Sequence, residues 1–464
     1  MRVGVVVYGP LDRRSGGYLY DRELADRLEA RGDEVVTVSL PERPYPARLV
    51  DNVDPRHVQR LAGADLDVLV EDELCHPSLA LTNRRLDVDC PIVSLVHHLS
   101  SAEPRAPWRN RAVEALEREF LRSVDAHVCT SRTTRSSVAA LTEGRRVGER
   151  WLERLGRTGA TSTAGSTGTA VSGDGGVDTD ADGGTENRGG LTRREARTRP
   201  GGRTSDLGDR SASAGPVDGP GRGTGDDTDA RIGDGDESDV EWIDGTPALV
   251  AYPGGDRFGD PPSADRVRQR AREGPFRVLF VGNVTPRKRL GTLVEGLARV
   301  DGDWELTVVG DLGTDPDYVD RVRDRIDALG VGRRVRLAGR LDDEELADAL
   351  ATHHVLAGPS EYEGFGIVYV EAMGFGLPAI ASTRGGAGEV VRNRENGRLV
   401  EPGDASAITD VLSPLCRDRE RLAEMGLSAV ETYRRHPSWE ETADRIRAFL
   451  ADVVDWHRDD ASGT

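Results

Sequence analysis

The run Arg277-Val278-Leu279-Phe280-Val281-Gly282-Asn283-Val284-Thr285-Pro286-Arg287-Lys288-Arg289-Leu290 passes from a short apolar strand through a glycine turn into a basic loop. Short, nearly uninterrupted apolar runs mark strands buried on both faces of a parallel sheet. In an open α/β sheet the carboxyl ends of such strands are where ligands bind, so a glycine and three cations there predict an anion cradle. Of the 62 basic residues in the 464-residue chain only Lys288 is a lysine, and it falls inside this loop.

The same alternation of apolar run, turn and amphipathic stretch extends in both directions. Towards the amino terminus it predicts strands at 3–8, 34–39, 67–70, 92–96 and 126–130, with helices such as 18–31 and 108–123 between them. Towards the carboxy terminus it predicts strands at 248–252, 277–281, 305–309, 334–338, 355–357 and 377–381. The expected fold class is therefore α/β, with two doubly wound, Rossmann-like parallel sheets facing each other across a cleft. One domain is expected over 1–142, the other over 246–435, and a helix near 439–454 is expected to cross back to the first domain within a final segment 436–464. Between the domains, 143–245 turns to Gly, Thr, Ser, Asp and Arg, with no aromatic residue between Trp151 and Trp242. Too little apolar surface is available there to offset ordering entropy, which predicts a disordered insertion with at most a helical turn or two near 149–155.

Charge and cysteine usage narrow the function. A formal charge of −19 argues against nucleic-acid binding and predicts an acidic, salt-tolerant surface of the halophilic kind. Cys75, Cys90, Cys129 and Cys416 have no metal-ligand spacing and read as buried free thiols. The apolar run at 3–8 leads into Gly9-Pro10, a first strand rather than a leader, and no stretch approaches the length of a membrane span. Cytoplasmic location is expected, with any membrane contact peripheral; Trp108 among Arg105, Arg109 and Arg111 is the candidate for that contact.

The most specific local pattern is Pro359-Ser360-Glu361-Tyr362-Glu363-Gly364-Phe365-Gly366-Ile367-Val368-Tyr369-Val370-Glu371. Gly364 and Gly366 allow close ligand approach and leave the first amides of the next helix free, a natural anion site. Glu371 would lie about 10 Å beyond Gly364 at about 1.5 Å rise per residue, so Glu363 and Glu371 can address different parts of one extended ligand.

In these residues the chain resembles the retaining GT-B-fold glycosyltransferases of family 4, whose two glutamates eight positions apart are matched by Glu363 and Glu371. The resemblance implies a nucleoside diphosphate sugar as donor. It implies that Glu371 hydrogen-bonds the ribose, that Glu363 contacts donor-sugar hydroxyls, and that Lys288 neutralises the departing diphosphate. Asn283 stands where the family has an arginine, and Arg287 or Arg289 is expected to supply that charge. Ser15-Gly16-Gly17 resembles the family's amino-terminal glycine loop, and Val96-His97-His98-Leu99 its cleft histidine, with His97 preferred to His98. Ala251-Tyr252-Pro253-Gly254-Gly255-Asp256-Arg257-Phe258 resembles an interdomain element, and Gly385-Gly386-Ala387-Gly388-Glu389 with Asn396-Gly397 a carboxy-terminal pattern in which Glu389 opens a helix near the donor base.

The expected sites are thus His97, Lys288 and Glu363 for catalysis, with Gly16, Gly17, Asn283, Arg287, Lys288, Glu363, Gly364, Phe365, Gly366 and Glu371 for the donor. The expected reaction is retaining glycosyl transfer to a sugar or lipid-linked glycan, without a cofactor. No metal is expected, because the Asp65/Asp67 and Asp87/Asp89 pairs read as solvated flanks. Competing functions are a phosphorylase or epimerase on the same fold and a non-catalytic nucleotide-sugar-binding protein. A dinucleotide oxidoreductase lacks its glycine fingerprint at 8–12.

Overall fold

A computed structural model describes residues 1–13, 15–54, 61, 63, 65–103, 105–142 and 240–462. The expected insertion lies outside the described residues up to 239, as does the expected helical turn near 149–155. Two sheets organise the rest. The first contains β1 (Arg2–Tyr8), β2 (Glu34–Leu40), β3 (Val68–Asp72), β4 (Ile92–Val96), β5 (Ala126–Cys129), β6 (Val240–Ile243) and β7 (Thr246–Val250), in the order β2-β1-β3-β4-β5-β7-β6. The second contains β8 (Phe276–Val281), β9 (Trp304–Val309), β10 (Val335–Gly339), β11 (Val355–Gly358), β12 (Ala379–Ser382) and β13 (Gly397–Val400), in the order β10-β9-β8-β11-β12-β13. All pairings are parallel except β6 with β7.

Among the parallel strands each order reverses direction once, and that reversal is where a doubly wound sheet opens a crevice at its strand ends. In the second sheet the reversal falls between β8 and β11, whose exits are the basic loop and the Glu363 loop. In the first it falls between β1 and β3, whose exits lead to Gly16 and to Asp72-Glu73.

Two boundaries differ from the sequence reading. The strand expected at 248–252 does not open the second sheet: β7 is buried throughout and pairs with β5, His127 opposite Ala248, so it closes the first. The segment assigned to the insertion as far as 245 also contains β6, which folds back on β7 with Trp242 opposite Pro247. A solvent-facing edge strand is short and partly polar, here Val-Glu-Trp-Ile, and its alternation was diluted by the acidic stretch before it.

Helices cover both sheets: α1 (Gly16–Ala30), α2 (Pro107–Leu121), α3 (Arg132–Thr142), α4 (Ala264–Arg272), α5 (Leu290–Leu297), α6 (Pro316–Ala328), α7 (Asp343–Thr352), α8 (Ile367–Gly374), α9 (Ala405–Arg417), α10 (Arg419–Arg435) and α11 (Trp439–Ser462). Trp439, Ile446, Phe449, Leu450 and Val453 of α11 join the core of the first sheet beside Leu24 and Leu28 of α1, so the last helix returns to the amino-terminal domain. It is pinned where the chain passes between domains: the Trp439 amide donates to Asp256 Oδ1 at 2.7 Å and Thr442 Oγ1 to the Tyr252 carbonyl at 2.7 Å. All four cysteines are buried and free. Among the described residues no helix is long and apolar enough to cross a membrane.

Candidate active site

A cavity of about 1160 Å³ lies between the strand exits of the two sheets. From the second sheet, β8 delivers Gly282, Asn283, Arg287 and Lys288, and β11 delivers Glu363 to Gly366. Lys288 ends a single 3-10 turn (Pro286–Lys288), and its Nζ lies 2.5 Å from Glu363 Oε2, which also accepts from Ser360 Oγ at 3.1 Å. Burial alone would raise the Glu363 carboxyl, yet Lys288 and Arg287 hold it down at about 2. Burial in turn lowers the Lys288 ammonium, opposed by Glu363. Each charge is the reason the other survives in a partly buried wall.

The two arginines considered for the Asn283 position part company. Arg287 lines the cavity, donates from Nη1 to the Tyr362 carbonyl at 2.9 Å, and brings Nε within 3.7 Å of Glu103 on the first domain. Arg289 adopts a left-handed backbone (φ 53°) and sends Nε to Glu361 Oε2 at 2.6 Å. Asn283 itself lines the cavity.

Gly366, at φ 90°, caps the start of α8 in a conformation that a side chain would strain, and α8 begins in the cavity wall. Glu371, further along α8, is 4% exposed, and its Oε1 accepts from Arg257 Nη1 at 3.0 Å. Burial raises its carboxyl and Arg257 opposes the rise. Arg257 also reaches Asp343 Oδ1 on α7 at 2.5 Å and lines the cavity. The sequence assigns it no role of its own, although it stands inside the interdomain run 251–258 quoted for other reasons.

The first domain faces this wall. Gly16 and Gly17 open α1 at the cavity, and β4 ends at His97 and His98. His97 Nε2 lies 3.0 Å from Asp21 Oδ1, and its amide donates to Glu73 Oε2 at 2.9 Å. His98 turns elsewhere, with Nε2 3.3 Å from Glu103 Oε1. The domains touch at Gly364: a Cβ there would overlap the His97 carbonyl oxygen, and the Gly364 carbonyl accepts from Ser131 Oγ at 3.0 Å. Phe365 stacks on His436 with ring centroids 5.6 Å apart, so this aromatic is packed on the segment leading to α11.

Glu389 corrects an expectation. It ends a short 3-10 turn (Gly386–Glu389) rather than opening a helix, and its carboxylate accepts from the Arg132 and Thr133 amides at 2.9 and 2.8 Å. It therefore caps α3 of the other domain, with Tyr252 OH donating to it at 2.9 Å. Nearby Asn396 likewise serves the backbone, donating to the Val390 carbonyl at 2.9 Å.

Among the described residues, neither the Asp65/Asp67 nor the Asp87/Asp89 pair belongs to a group of close metal-type ligands. Asp67 accepts from the Arg2 amide at 2.8 Å and from Arg458 at 2.6 Å. Among the described residues, the group with ligand atoms within 4.8 Å of one another is Asp21, Asp72 and His97. The clue in the sequence was spacing: Asp21 is one helical turn past Gly17, on the same face as the glycine loop.

Comparison with known proteins agrees with this geometry. Residues 263–431 match the family of glycosyl transferases group 1. The chain is 32% identical over 209 residues to a GDP-mannose-dependent alpha-(1-6)-phosphatidylinositol monomannoside mannosyltransferase of Mycobacterium tuberculosis, covering 42% of this chain and 53% of that protein. It is 32% identical over 217 residues to a D-inositol 3-phosphate glycosyltransferase of Corynebacterium glutamicum, covering 44% and 51%. The chain thus spans about half the length of the curated relatives it matches. Across both sheets it superposes on sucrose-phosphate synthase from Thermosynechococcus elongatus (TM-score 0.65, 17% identity, 97% and 98% covered). It superposes similarly on Anabaena HepE solved with UDP and glucose (TM-score 0.61, 16% identity, 97% and 100% covered). The two sheets have the GT-B arrangement, and residues 263–431, in the part of the chain that forms the second, are what match the glycosyl transferases group 1 family.

Proposed function

We propose that this protein moves a sugar from a nucleoside diphosphate sugar to an acceptor with retention at the anomeric carbon, as a family 4 enzyme would. The observation that carries the reading is the Lys288–Glu363 pair at the switch point between β8 and β11, with Glu371 on the helix that follows. An anionic donor supplies the groups this wall is built to meet. Its diphosphate takes over the Lys288 ammonium, with Arg287 in the place of the missing arginine beside Asn283. The sugar hydroxyls take the Glu363 carboxylate, and the ribose takes Glu371.

As the bond from C1 to the diphosphate oxygen breaks, its electron pair passes to the diphosphate, and negative charge grows where Lys288 and the amides at Gly364-Phe365-Gly366 stand. Fixed cations and amides at a developing oxyanion act in the transition state, where they are most useful. The acceptor oxygen bonds C1 from the same face, and its proton goes to the departing phosphate oxygen. His97 stands beside the transferred sugar, with Gly16 and Gly17 completing the donor wall. No metal or cofactor enters this scheme. The acceptor is a sugar or a lipid-linked glycan, met by the first domain. Exposed Trp108, 67% accessible and stacked with Arg109 at 5.1 Å, is the group to rest on an anionic membrane face from the cytoplasmic side.

The test is thermal stabilisation by GDP, UDP and ADP in multimolar KCl, followed by product analysis with the matching sugar nucleotide. One nucleotide raises the midpoint, Glu371→Ala abolishes that rise, and the product keeps the donor's anomeric configuration. Stabilisation by none of the three, or an inverted product, overturns the reading.

A further inference from the structure

Three acids meet behind the cleft histidine that the transfer scheme leaves unused. Asp72 and Glu73 leave the end of β3, and Asp21 comes from α1; they are 2%, 2% and 1% exposed. One oxygen of each, Asp72 Oδ2, Glu73 Oε1 and Asp21 Oδ2, has no hydrogen-bond partner. Buried carboxylates gathered this closely favour a proton or a cation among them. The cation nearest to hand is His97 itself. Its ring is held edge-on by Tyr20, with centroids 5.3 Å apart, and its Nε2 is the atom facing Asp21.

We propose that Asp21 is a positioning residue: by accepting a hydrogen bond from Nε2–H it keeps the His97 imidazole doubly protonated, leaving Nδ1–H as a fixed donor for a hydroxyl or phosphate oxygen of the sugar nucleotide. The charged groups around the ring favour this state. From α1 come Asp21 and Tyr20, from the β3 exit Asp72 and Glu73, and from its own loop His98, paired with Glu103. Across the cavity, Lys288 is paired with Glu363, and Arg287 approaches Glu103. His98 Nδ1 also lies 3.8 Å from Glu73 Oε1 and Arg22 lines the same cavity, but the charges that act on the His97 ring are those of Asp21 and Glu73. Burial pulls the imidazole down, but Asp21 and then Glu73 outweigh it and the ring ends above its ordinary value. Burial, then Asp21 and Glu73, push Asp72 well above the usual carboxylate range, which favours a proton on Asp72 beside the charged ring.

The experiment is a histidine-labelled NMR pH titration of the full chain, with the His97 signal among the nine histidines assigned through His97→Gln. The wild-type midpoint lies above the ordinary 6.5, and Asp21→Asn lowers it by about 1 to 3 pH units. A wild-type midpoint at or below 6.5, or no change in Asp21→Asn, overturns the proposal; should the variant fail to fold, the wild-type midpoint decides. Addition of Zn²⁺ or Mn²⁺ leaves the thermal midpoint where it was. A rise with either ion that Asp72→Asn removes would show that a cation fills the cluster, which also overturns it. The titration is independent of the transfer reading. A kinetic arm rests on that reading: Asp21→Asn lowers kcat about 10- to 100-fold with little change in donor KM, and the loss of activity on the alkaline side moves to lower pH.

Discussion

Lys288 and Glu363 show how a single pair sets both charge and pH response. Glu363 titrates below its ordinary 4.5, at about 2, so the stability it contributes is fully present above 4.5 and is lost as pH falls from there towards 2. Lys288→Met should remove that acid-side slope, because burial then raises the lone carboxyl instead. Urea midpoints measured through this pH window would read the change, and an unaltered slope would disconnect the pair. The same variant should lower kcat by about 10²- to 10³-fold. Glu371 behaves oppositely. It is a buried acid whose carboxyl is raised, so its charge weighs most against the fold at neutral pH and is relieved as pH falls and it takes a proton. Arg257→Met should destabilise the chain by about 3 kcal/mol near neutrality and by less at pH near 5, read by chemical denaturation at both values. A penalty that does not shrink with acid would mean Glu371 is not the group responding.

At the scale of elements, the informative contact is the Glu389 carboxylate on the first turn of α3. A helix start leaves amides without partners; here Ser131 Oγ caps the Thr134 amide locally at 2.9 Å, while the Arg132 and Thr133 amides are satisfied by a residue of the other domain. Glu389→Ala should cost about 1 kcal/mol of stability, with Glu389→Gln recovering part of it because the amide oxygen still accepts. Equal losses in both variants would mean the charge, not the hydrogen bonding, is what matters. This contact also shows where pattern reading stops. The spacing of Gly385 to Glu389 is turn-like whichever partner the acid finds, and that partner is 257 positions from Glu389 at Arg132. Strands were legible because parallel sheets need apolar runs on both faces, and the runs at 3–8, 92–96 and 277–281 fall on β1, β4 and β8. Their neighbours were not, since β5 accepts β7 across the segment between them and apolar runs carry no address.

For the whole molecule, the nearness of the two domains depends on a backbone contact. Gly364→Val would drive a side chain into the His97 carbonyl and hold the sheets apart. The expected result is a larger radius of gyration in solution scattering with far-UV circular dichroism unchanged; an identical scattering profile would show that the contact does not set domain closure. The −19 charge acts at the same scale. Stability should rise with KCl into the molar range as self-repulsion is screened. A flat response would remove the halophilic reading.

What the sequence determined by itself was local: the apolar strands, the glycine turns at their exits, the solitary lysine, and two glutamates eight positions apart, one before a helix and one along it. These follow from short-range rules in which side-chain period and backbone freedom decide the element. What only the tertiary structure decided was convergence. The strand order 10-9-8-11-12-13 brings Lys288 to Glu363 across 75 positions, and the order 2-1-3-4-5 brings Asp21, Asp72 and His97 together. Arg257 found Glu371 and Arg287 took the cavity while Arg289 left it for the same reason. Buried charges are stable only where a partner arrives from another part of the chain, and the sheet's winding determines which partners arrive.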